Sequence, residues 1–435
     1  MKSGIIQIAY ALDDRFAEMT CVSIASVLAN TSSDVVFHIF ESRLADIHKK
    51  KLSELVDGHP HGECCFYHID IDDDTYVTAE VTKVTKETYT KTMLPELLVD
   101  IDRVIWLDGD TIVEKDIVLL WQVDLGDALV GMVPDYSMEP KDEKKVILGM
   151  EDSSYYYNTG IILMNLPRLR EIYLSGIVAE NVIRLHKQVL NVGLNWYAEQ
   201  DVLNFALRGK IKTLPMRFNS YFWISLLLGE SLEECVEVYL NPVIVHFIGT
   251  PKPTELGKVP VNVPEWERYY KYKALSPYAD DADAEKISIY KKREDNTLNA
   301  LTPVLNDTNI HWYSDRFAER IFSLIMQRYV DAVNDKKIAI WGLNIRTWTL
   351  IVYLAANGVE VWHIVDGLEK NQGVMVFNHC VVSPDDILRD TVEDAFVMID
   401  IHQREMAQSV MARLRTWGYK DESFCHVYAP IWDGI

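Results

Sequence analysis

No run of the 435-residue chain reaches the ~18 uncharged apolar residues that a membrane span requires. Basic residues are short as well: 43 Lys and Arg stand against 65 Asp and Glu, for a net charge of −22. Wholesale nucleic-acid binding needs a basic surface to displace counterions and is excluded. General attraction to anionic lipid is excluded on the same ground. An acidic protein can still take a phosphate where a metal supplies the positive charge locally. Cysteine is sparse and unpatterned. Cys21, Cys64, Cys65, Cys235, Cys380 and Cys425 form no C-x-x-C pair, and Cys64 adjoins Cys65. They read as reduced thiols of a cytosolic protein. The N-terminus runs Met1 to Gly4, then Ile5 to Leu12, then Asp13-Asp14. It lacks the basic start, long apolar core and small-residue cleavage site of a secretory signal. The cytoplasm is the expected compartment.

What is present is enough apolar content, 49% of residues, for more than one core. The first part alternates strand-like and helix-like segments. Ile5 to Ala11, Val35 to Phe40, Cys65 to Ile71 and Val104 to Leu107 read as strands. Phe16 to Leu28, Leu44 to Val56 and Tyr89 to Val99 read as helices, the last shortened or bent by Pro95. Leu129 to Pro134, Gly160 to Asn165 and Val243 to Phe247 are further strands, with helices over Arg168 to Gln188 and Gln200 to Leu207. Such alternation with fully apolar strands predicts an α/β fold, a mostly parallel sheet covered on both faces. Ligands of such sheets sit beyond the carboxyl ends of the strands. Asp13-Asp14, Asp108, Asp110, Asp135 and His246 all fall at or just past such ends.

From Ser276 the character changes. Residues 276–283 are polar and acidic, Lys291 to Asp307 has little apolar content, and Phe317 to Val333 suits a helix. Strands over Lys337 to Trp341, Val359 to Val365, Val374 to Val382 and Ala395 to Ile401 follow. Helices over Arg346 to Ala356 and Arg404 to Trp417 complete a second, smaller α/β domain. The expected division is 1–275, a linker with connecting helices over 276–335, and 336–435.

Asp108-Gly109-Asp110 puts two carboxylates one residue apart just past a buried strand. They can reach one hard cation, and the glycine lets backbone approach a phosphate. The same Asp-Gly between apolar runs also suits a two-residue hairpin. An EF-hand fails on spacing, because Val113 stands at its invariant glycine. Tyr157-Asn158-Thr159-Gly160 places an amide at a strand entrance, or is an ordinary turn. Glu199-Gln200-Asp201 starts a helix, where capping alone would explain it. In His246 to Pro253, a histidine at a strand end can ligate a metal, and Lys252 in a Gly-Pro turn can meet a diphosphate.

Together these segments resemble glycosyltransferase family 8, the retaining enzymes that include bacterial lipopolysaccharide galactosyl- and glucosyltransferases and the glycogenins. The resemblance covers roughly Ile5 to Trp266. It rests on Asp13-Asp14, Tyr89 to Leu98, Trp106 to Asp110, Tyr157 to Gly160, Gln200 to Asn204 and His246 to Pro253. It implies a GT-A fold, a Rossmann-like mixed and mostly parallel sheet flanked by helices. It also implies a UDP-sugar donor and Mn2+, or Mg2+ in its place, held by Asp108, Asp110 and His246, a ligand set that suits Mn2+. By the same resemblance Ala11, Asp13 and Phe16 contact the nucleotide and Lys91 faces the donor. Asp108 and Gly109 also line the donor. Asp135, Asn158, Gly160, Glu199 and Gln200 surround its sugar, with Gln200 and Glu199 as the catalytic candidates, and Gly249 and Lys252 hold the diphosphate. Lys91 stands where the family often has Arg, Glu199 where it often has Asp, and Thr254 where Trp often follows Lys-Pro. The implied activity is a retaining hexosyltransferase, moving galactose or glucose to a glycan, glycolipid or glycoprotein. Peripheral contact with the inner membrane face is compatible with it.

The segment Ala339 to Arg346 has the strand–turn–helix shape of a nucleotide-binding unit, but only Gly342 of a G-x-G-x-x-G pattern is present. The C-terminal domain therefore looks like a degenerate Rossmann-type module with a structural or partner-docking role. A sugar-nucleotide pyrophosphorylase would carry a Gly-rich basic loop where Ala9 to Asp14 stands. The remaining alternative is a scaffold that binds a nucleotide sugar without turnover and recruits partners through its C-terminal domain.

Overall fold

Alternate residues of the apolar N-terminal run face opposite ways. Ile6, Ile8, Tyr10 and Leu12 enter one core and Ala9 another, all buried, as a strand covered on both faces requires. The computed structural model describes residues 4–71, 76, 86–135, 142–150, 155–221, 231–249, 252–255, 266–285, 322, 325–329, 333, 335–401 and 403–427. Lys291 to Asp307 and Thr250-Pro251 lie outside the described residues. So does most of the helix expected over Phe317 to Val333, of which 322, 325–328 and 333 are helical. Contacts divide the chain into two units. The first is Met1–Tyr221, Pro242–Leu256 and Glu265–Asp281; the second is Phe222–Asn241, Gly257–Pro264 and Ala282–Ile435.

The first unit begins with β1 (Ile6–Leu12), α1 (Ala17–Asn30), β2 (Val35–Glu41), α2 (Asp46–Asp57) and β3 (Gly62–His68). It continues with α3 (Thr90–Leu97), β4 (Arg103–Leu107), β5 (Thr111–Val113), α4 (Val118–Trp121), β6 (Val130–Pro134) and α5 (Asp142–Ile147). Then come β7 (Tyr157–Asn165), α6 (Leu166–Glu171), α7 (Leu174–Asn191), α8 (Glu199–Leu207), β8 (Ile211–Thr213) and β9 (Ile244–His246). Seven strands form one sheet in the order β3-β2-β1-β4-β7-β6-β8. Every pair is parallel except the two that β7 makes, with β4 and β6. The sheet carries a core on each face. Ile105, Leu107, Ile161 and Leu163 point into one, and Val104, Trp106, Ile162 and Met164 into the other.

Because β1, β4 and β6 run the same way, their carboxyl ends bring Asp13, Asp108 and Asp135 to one rim. Asp108-Gly109-Asp110 does not close a hairpin. β4 pairs with β1 and β7, whereas β5 leaves the sheet and pairs antiparallel with β9, Thr111 opposite His246. His246 therefore reaches the rim from a separate two-stranded sheet. The single helix expected over Arg168 to Gln188 is two. Asn165 caps α6 by accepting from Arg168 N at 3.2 Å, and Tyr173, with φ of 52°, breaks the chain before α7. Its ring lies against Gly176, where a Cβ would collide with it.

The second unit holds β10 (Lys337–Trp341), β11 (Val361–Val365), β12 (Met375–Val376), β13 (His379–Val382), β14 (Ala395–Ile399) and β15 (Phe424–His426). They form a sheet in the order β12-β13-β11-β10-β14-β15, parallel except for β12. Val374 to Val382, read as one strand, is a hairpin turning at Phe377, φ 51°. Gly342 ends β10 with φ of 122°, and a Cβ there would stand 2.5 Å from Asp400 O. Leu343 N donates to Asp366 Oδ2 at 2.9 Å, and Thr347 Oγ1 to Asp400 Oδ2 at 2.8 Å. Two carboxylates thus occupy groups that a phosphate-binding turn leaves open for its ligand. Among the described residues no helix is long and apolar enough to cross a membrane.

Candidate metal centre

The turn after β4 is held from both sides. Asp108 N donates to Gly160 O at 2.7 Å, and Phe247 N donates to Asp110 O at 2.8 Å. A side chain at position 109 would collide with Thr20 Oγ1 and approach Phe16 at 3.7 Å, so this turn needs glycine to settle on α1. With the backbone fixed, Asp108, Asp110 and His246 each turn one ligand atom inward, all within 4.8 Å of one another. Asp110 Oδ1 lies 3.3 Å from His246 Nε2. Its other oxygen pairs with the ammonium of Lys252, which also donates to Phe247 O at 2.7 Å. Burial alone would raise the Asp110 carboxyl pKa, but Lys252 and His246 hold it well below the usual carboxylate range.

Gly160 gives His246 its place. A Cβ there would fall on the imidazole edge, clashing with Cε1 and standing 2.8 Å from Nδ1. His246 Nδ1 meets Asn219 Oδ1 at 3.0 Å, which leaves Nε2 facing the two aspartates. Two carboxylates and one imidazole nitrogen, convergent, with Asp110 and His246 buried and Asp108 half-buried, are a donor set that fits a divalent cation.

Lys91, on α3, joins this cluster to the start of α8. Its side chain is fully buried, and its ammonium donates to Asp108 Oδ1 and Thr159 O at 3.0 Å and to Glu199 Oε1 at 3.1 Å. Burial would lower its pKa, but Asp108 and Glu199 raise it above the ordinary lysine value. Asp108 Oδ1 also accepts from Trp106 Nε1 at 2.8 Å, and Glu199 Oε1 from Thr88 Oγ1 at 2.6 Å. The expectation that Lys91 faces the donor meets a buried bridge, with each ammonium proton committed to a protein oxygen.

A second polar group lies beside it. Asp135 Oδ2 accepts from Gln200 Nε2 at 3.0 Å and from Asn158 Nδ2 at 3.2 Å. Gln200 Oε1 accepts from Thr159 N at 3.2 Å. One turn further along α8, Asn204 exchanges two 2.8 Å bonds with the Tyr157 backbone and ties the helix to β7. Of the Glu199-Gln200-Asp201 triplet, Asp201 accepts from Tyr197 N at 2.8 Å and ties α8 to the chain that precedes it. It is buried with Tyr156 and Lys144, and burial raises its pKa.

The structure thus brings together Asp108, Asp110, His246 and Lys252, and links them through Lys91 to Glu199. Asp135, Asn158 and Gln200 form the adjoining group, while Gly109 and Gly160 give the clearance. Phe16 packs near Gly109. Ala11, half-buried, lies in β1, and Asp13 turns its carboxylate to Arg15 at 2.7 Å. Gly249 has φ of 72° and is exposed. Among the described residues no side-chain hydrogen bond or ion pair ties these last three to the cluster. Asn219 was missed by sequence reasoning; Leu214 to Tyr221 has no periodicity that would single out one amide.

Comparison with known proteins gives the family and the fold. A family model described as glycosyl transferase family 8 matches residues 7–253, more than half the chain. The lipopolysaccharide 1,2-glucosyltransferase of Escherichia coli is 27% identical over 302 residues, 67% of this chain and 85% of that protein. General stress protein A of Bacillus subtilis is 28% identical over 266 residues, 58% of this chain and 88% of its own length. Among solved structures, the galactosyltransferase LgtC in complex with donor and acceptor sugar analogues superposes with a TM-score of 0.54 at 24% identity. It covers 65% of this chain and 100% of its own.

Lys91→Met is expected to cost about 3–5 kcal/mol, because it leaves buried Glu199 and half-buried Asp108 without their shared counter-charge. Adding Glu199→Gln should recover part of that loss, and urea denaturation measures both. Since the folded state raises the lysine pKa, its stabilisation is complete below the unfolded value, about pH 10.4. It is lost as pH rises through the folded value. The wild type should therefore lose stability more steeply in that alkaline range than Lys91→Met, and parallel alkaline limbs would contradict the bridge.

Proposed function

The chain belongs to glycosyl transferase family 8 and is a glycosyltransferase of GT-A fold, and on that premise we propose that it moves a hexose, galactose or glucose, from a UDP-sugar to a glycan or glycoconjugate with retention at the anomeric carbon. The observation that carries this reading is the convergence of Asp108, Asp110 and His246 beside Lys252. Asp108, Asp110 and His246 would hold Mn2+, or Mg2+. When bound, the cation supplies Lewis-acid charge to the departing diphosphate. The named products of its relatives, lipopolysaccharide glycans, make a bacterial glycan or glycolipid the first acceptor class to try.

The chain's own groups supply the rest. Lys252, already beside Asp110, adds an ammonium where charge develops on the leaving UDP. Ala11, Asp13 and Phe16 take the nucleotide, and Gly249 lets backbone approach the diphosphate. Asp135, Asn158, Gly160 and Gln200 form the polar wall for the sugar, and their mutual hydrogen bonds fix it before substrate arrives. Lys91 clamps Glu199 by one carboxylate oxygen, so the other can accept from a sugar hydroxyl. Gln200 is an amide and a poor nucleophile. A front-face displacement through an oxocarbenium-like transition state, with the leaving phosphate oxygen taking the acceptor proton, therefore suits these residues better than a covalent glycosyl-enzyme. The C-terminal unit fits a role in structure or partner docking, consistent with its occupied β10 turn. The protein would work in the cytoplasm, with peripheral contact at the inner membrane face.

A donor panel tests the reading. UDP-galactose or UDP-glucose with Mn2+ should raise the melting temperature, by about 2.7 kcal/mol of stabilisation at 100-fold excess over Kd. The responding donor should release UDP when acceptor is supplied. Asp110→Ala should lower that turnover on the order of 10²–10³-fold. Melting indifferent to every donor, or normal turnover by Asp110→Ala, would overturn the assignment.

A further inference from the structure

Asn219 ends a short 3-10 turn, Met216–Phe218, and is 1% exposed. The backbone around it is laced to β9: Val243 N donates to Arg217 O, Ser220 N to Ile244 O and His246 N to Ser220 O, at 2.8–2.9 Å. This register sets the Asn219 side chain beside the His246 ring. Its amide Nδ2 donates to Asn158 Oδ1 at 2.8 Å, and its Oδ1 meets His246 Nδ1 at 3.0 Å.

The direction of every bond in this chain follows from one end. Asp135 carries a carboxylate, which as an ion only accepts, so Asn158 must present Nδ2 to it. Asn158 Oδ1 then points the other way, where it accepts from both Gly160 N, at 2.9 Å, and Asn219 Nδ2. Asn219 in turn must present Oδ1 to His246, and an acceptor there requires a proton on Nδ1. Nε2, the atom 3.3 Å from Asp110 Oδ1, is then the nitrogen left to ligate a cation. A reversed amide anywhere along the line would set oxygen against oxygen or N–H against N–H.

We infer that Asn219 is the positioning residue that holds His246 in its Nδ1–H tautomer, so that the polarity of Asp135 is transmitted through two amides to the metal-facing nitrogen. The inference rests on reading Asp108, Asp110 and His246 as a metal site. It also couples the sugar wall to that site: Asp135 and Asn158, which adjoin Gln200, orient the ligand on the opposite side of Gly160.

The test compares Asn219→Leu, which removes both hydrogen-bonding ends, with Asn219→Asp, which keeps an acceptor for Nδ1. Long-range 15N–1H correlation spectra of the metal-free full chain, with His246 assigned through His246→Gln, report the tautomer. Wild type and Asn219→Asp should show a protonated Nδ1, and Asn219→Leu should lose that preference. Mn2+ titration followed by electron paramagnetic resonance should then find Asn219→Leu weaker by about 10–100-fold, with Asn219→Asp at least as tight as wild type. A wild-type His246 with a bare Nδ1, or an Asn219→Leu protein with unchanged tautomer and Mn2+ affinity, would overturn the inference. Wild type that takes up no Mn2+ would sink the metal reading instead, while the tautomer spectra would still decide the role of Asn219.

Discussion

Thr111 faces His246 across the antiparallel pair β5–β9, and the geometry of the site hangs on that register. Asp108 and Asp110 sit immediately before one strand and His246 closes the other, so the pairing decides whether three ligand atoms converge or miss. A slip by one residue would turn the imidazole to the opposite face of the ribbon. Such short strands could not hold register unaided. They are fastened at both ends, by Glu114 N to Val243 O and by Phe247 N to Asp110 O. On its other edge β9 is bridged by Ser220 to Val245, which brings Asn219 into place with the same bonds.

Charge is arranged around that ribbon with little slack. The protein is strongly acidic overall, yet its binding rim contains two buried or half-buried ammonium groups, Lys91 and Lys252, interleaved with Asp108, Asp110 and Glu199. Lys91, itself fully buried, lets half-buried Asp108 and buried Glu199 approach each other. Lys252 and His246 keep Asp110 ionised despite burial. An acidic protein thus keeps two ammonium groups fixed at this rim, each paired with carboxylates. Two glycines supply the clearances this needs: Gly109 settles on α1, and Gly160 accepts the edge of the His246 ring.

Much of this was legible in the sequence, for identifiable reasons. The buried strands of the first unit announce themselves as apolar runs, and the acids just past β1, β4 and β6 follow from strand polarity alone. Asp108-Gly109-Asp110 remained ambiguous between hairpin and ligand pair, since local sequence carries no record of the distant partner Ile244–His246. The family resemblance turned Lys91 toward the donor, and its full burial, which depends on Asp108 and Glu199 arriving from two other elements, was not foreseen. The break at Tyr173 and the hairpin at Phe377 went unread because both turns use a non-glycine residue with positive φ, which no turn signature marks. Asn219 left no trace at all. Its importance lies in the direction of hydrogen bonds, a property that exists only once Asp135, Asn158 and His246 have met.

The central claim is that the Asp108–Asp110–His246 cluster holds a divalent cation on the diphosphate of a uridine nucleotide. Calorimetric titration of Mn2+ into the full chain, with and without saturating UDP, tests it most directly. The account predicts that UDP tightens Mn2+ binding, that Mn2+ tightens UDP binding by the same factor, as linkage requires, and that Asp110→Ala abolishes this coupling. UDP affinity indifferent to Mn2+, or coupling that survives in Asp110→Ala, would contradict it.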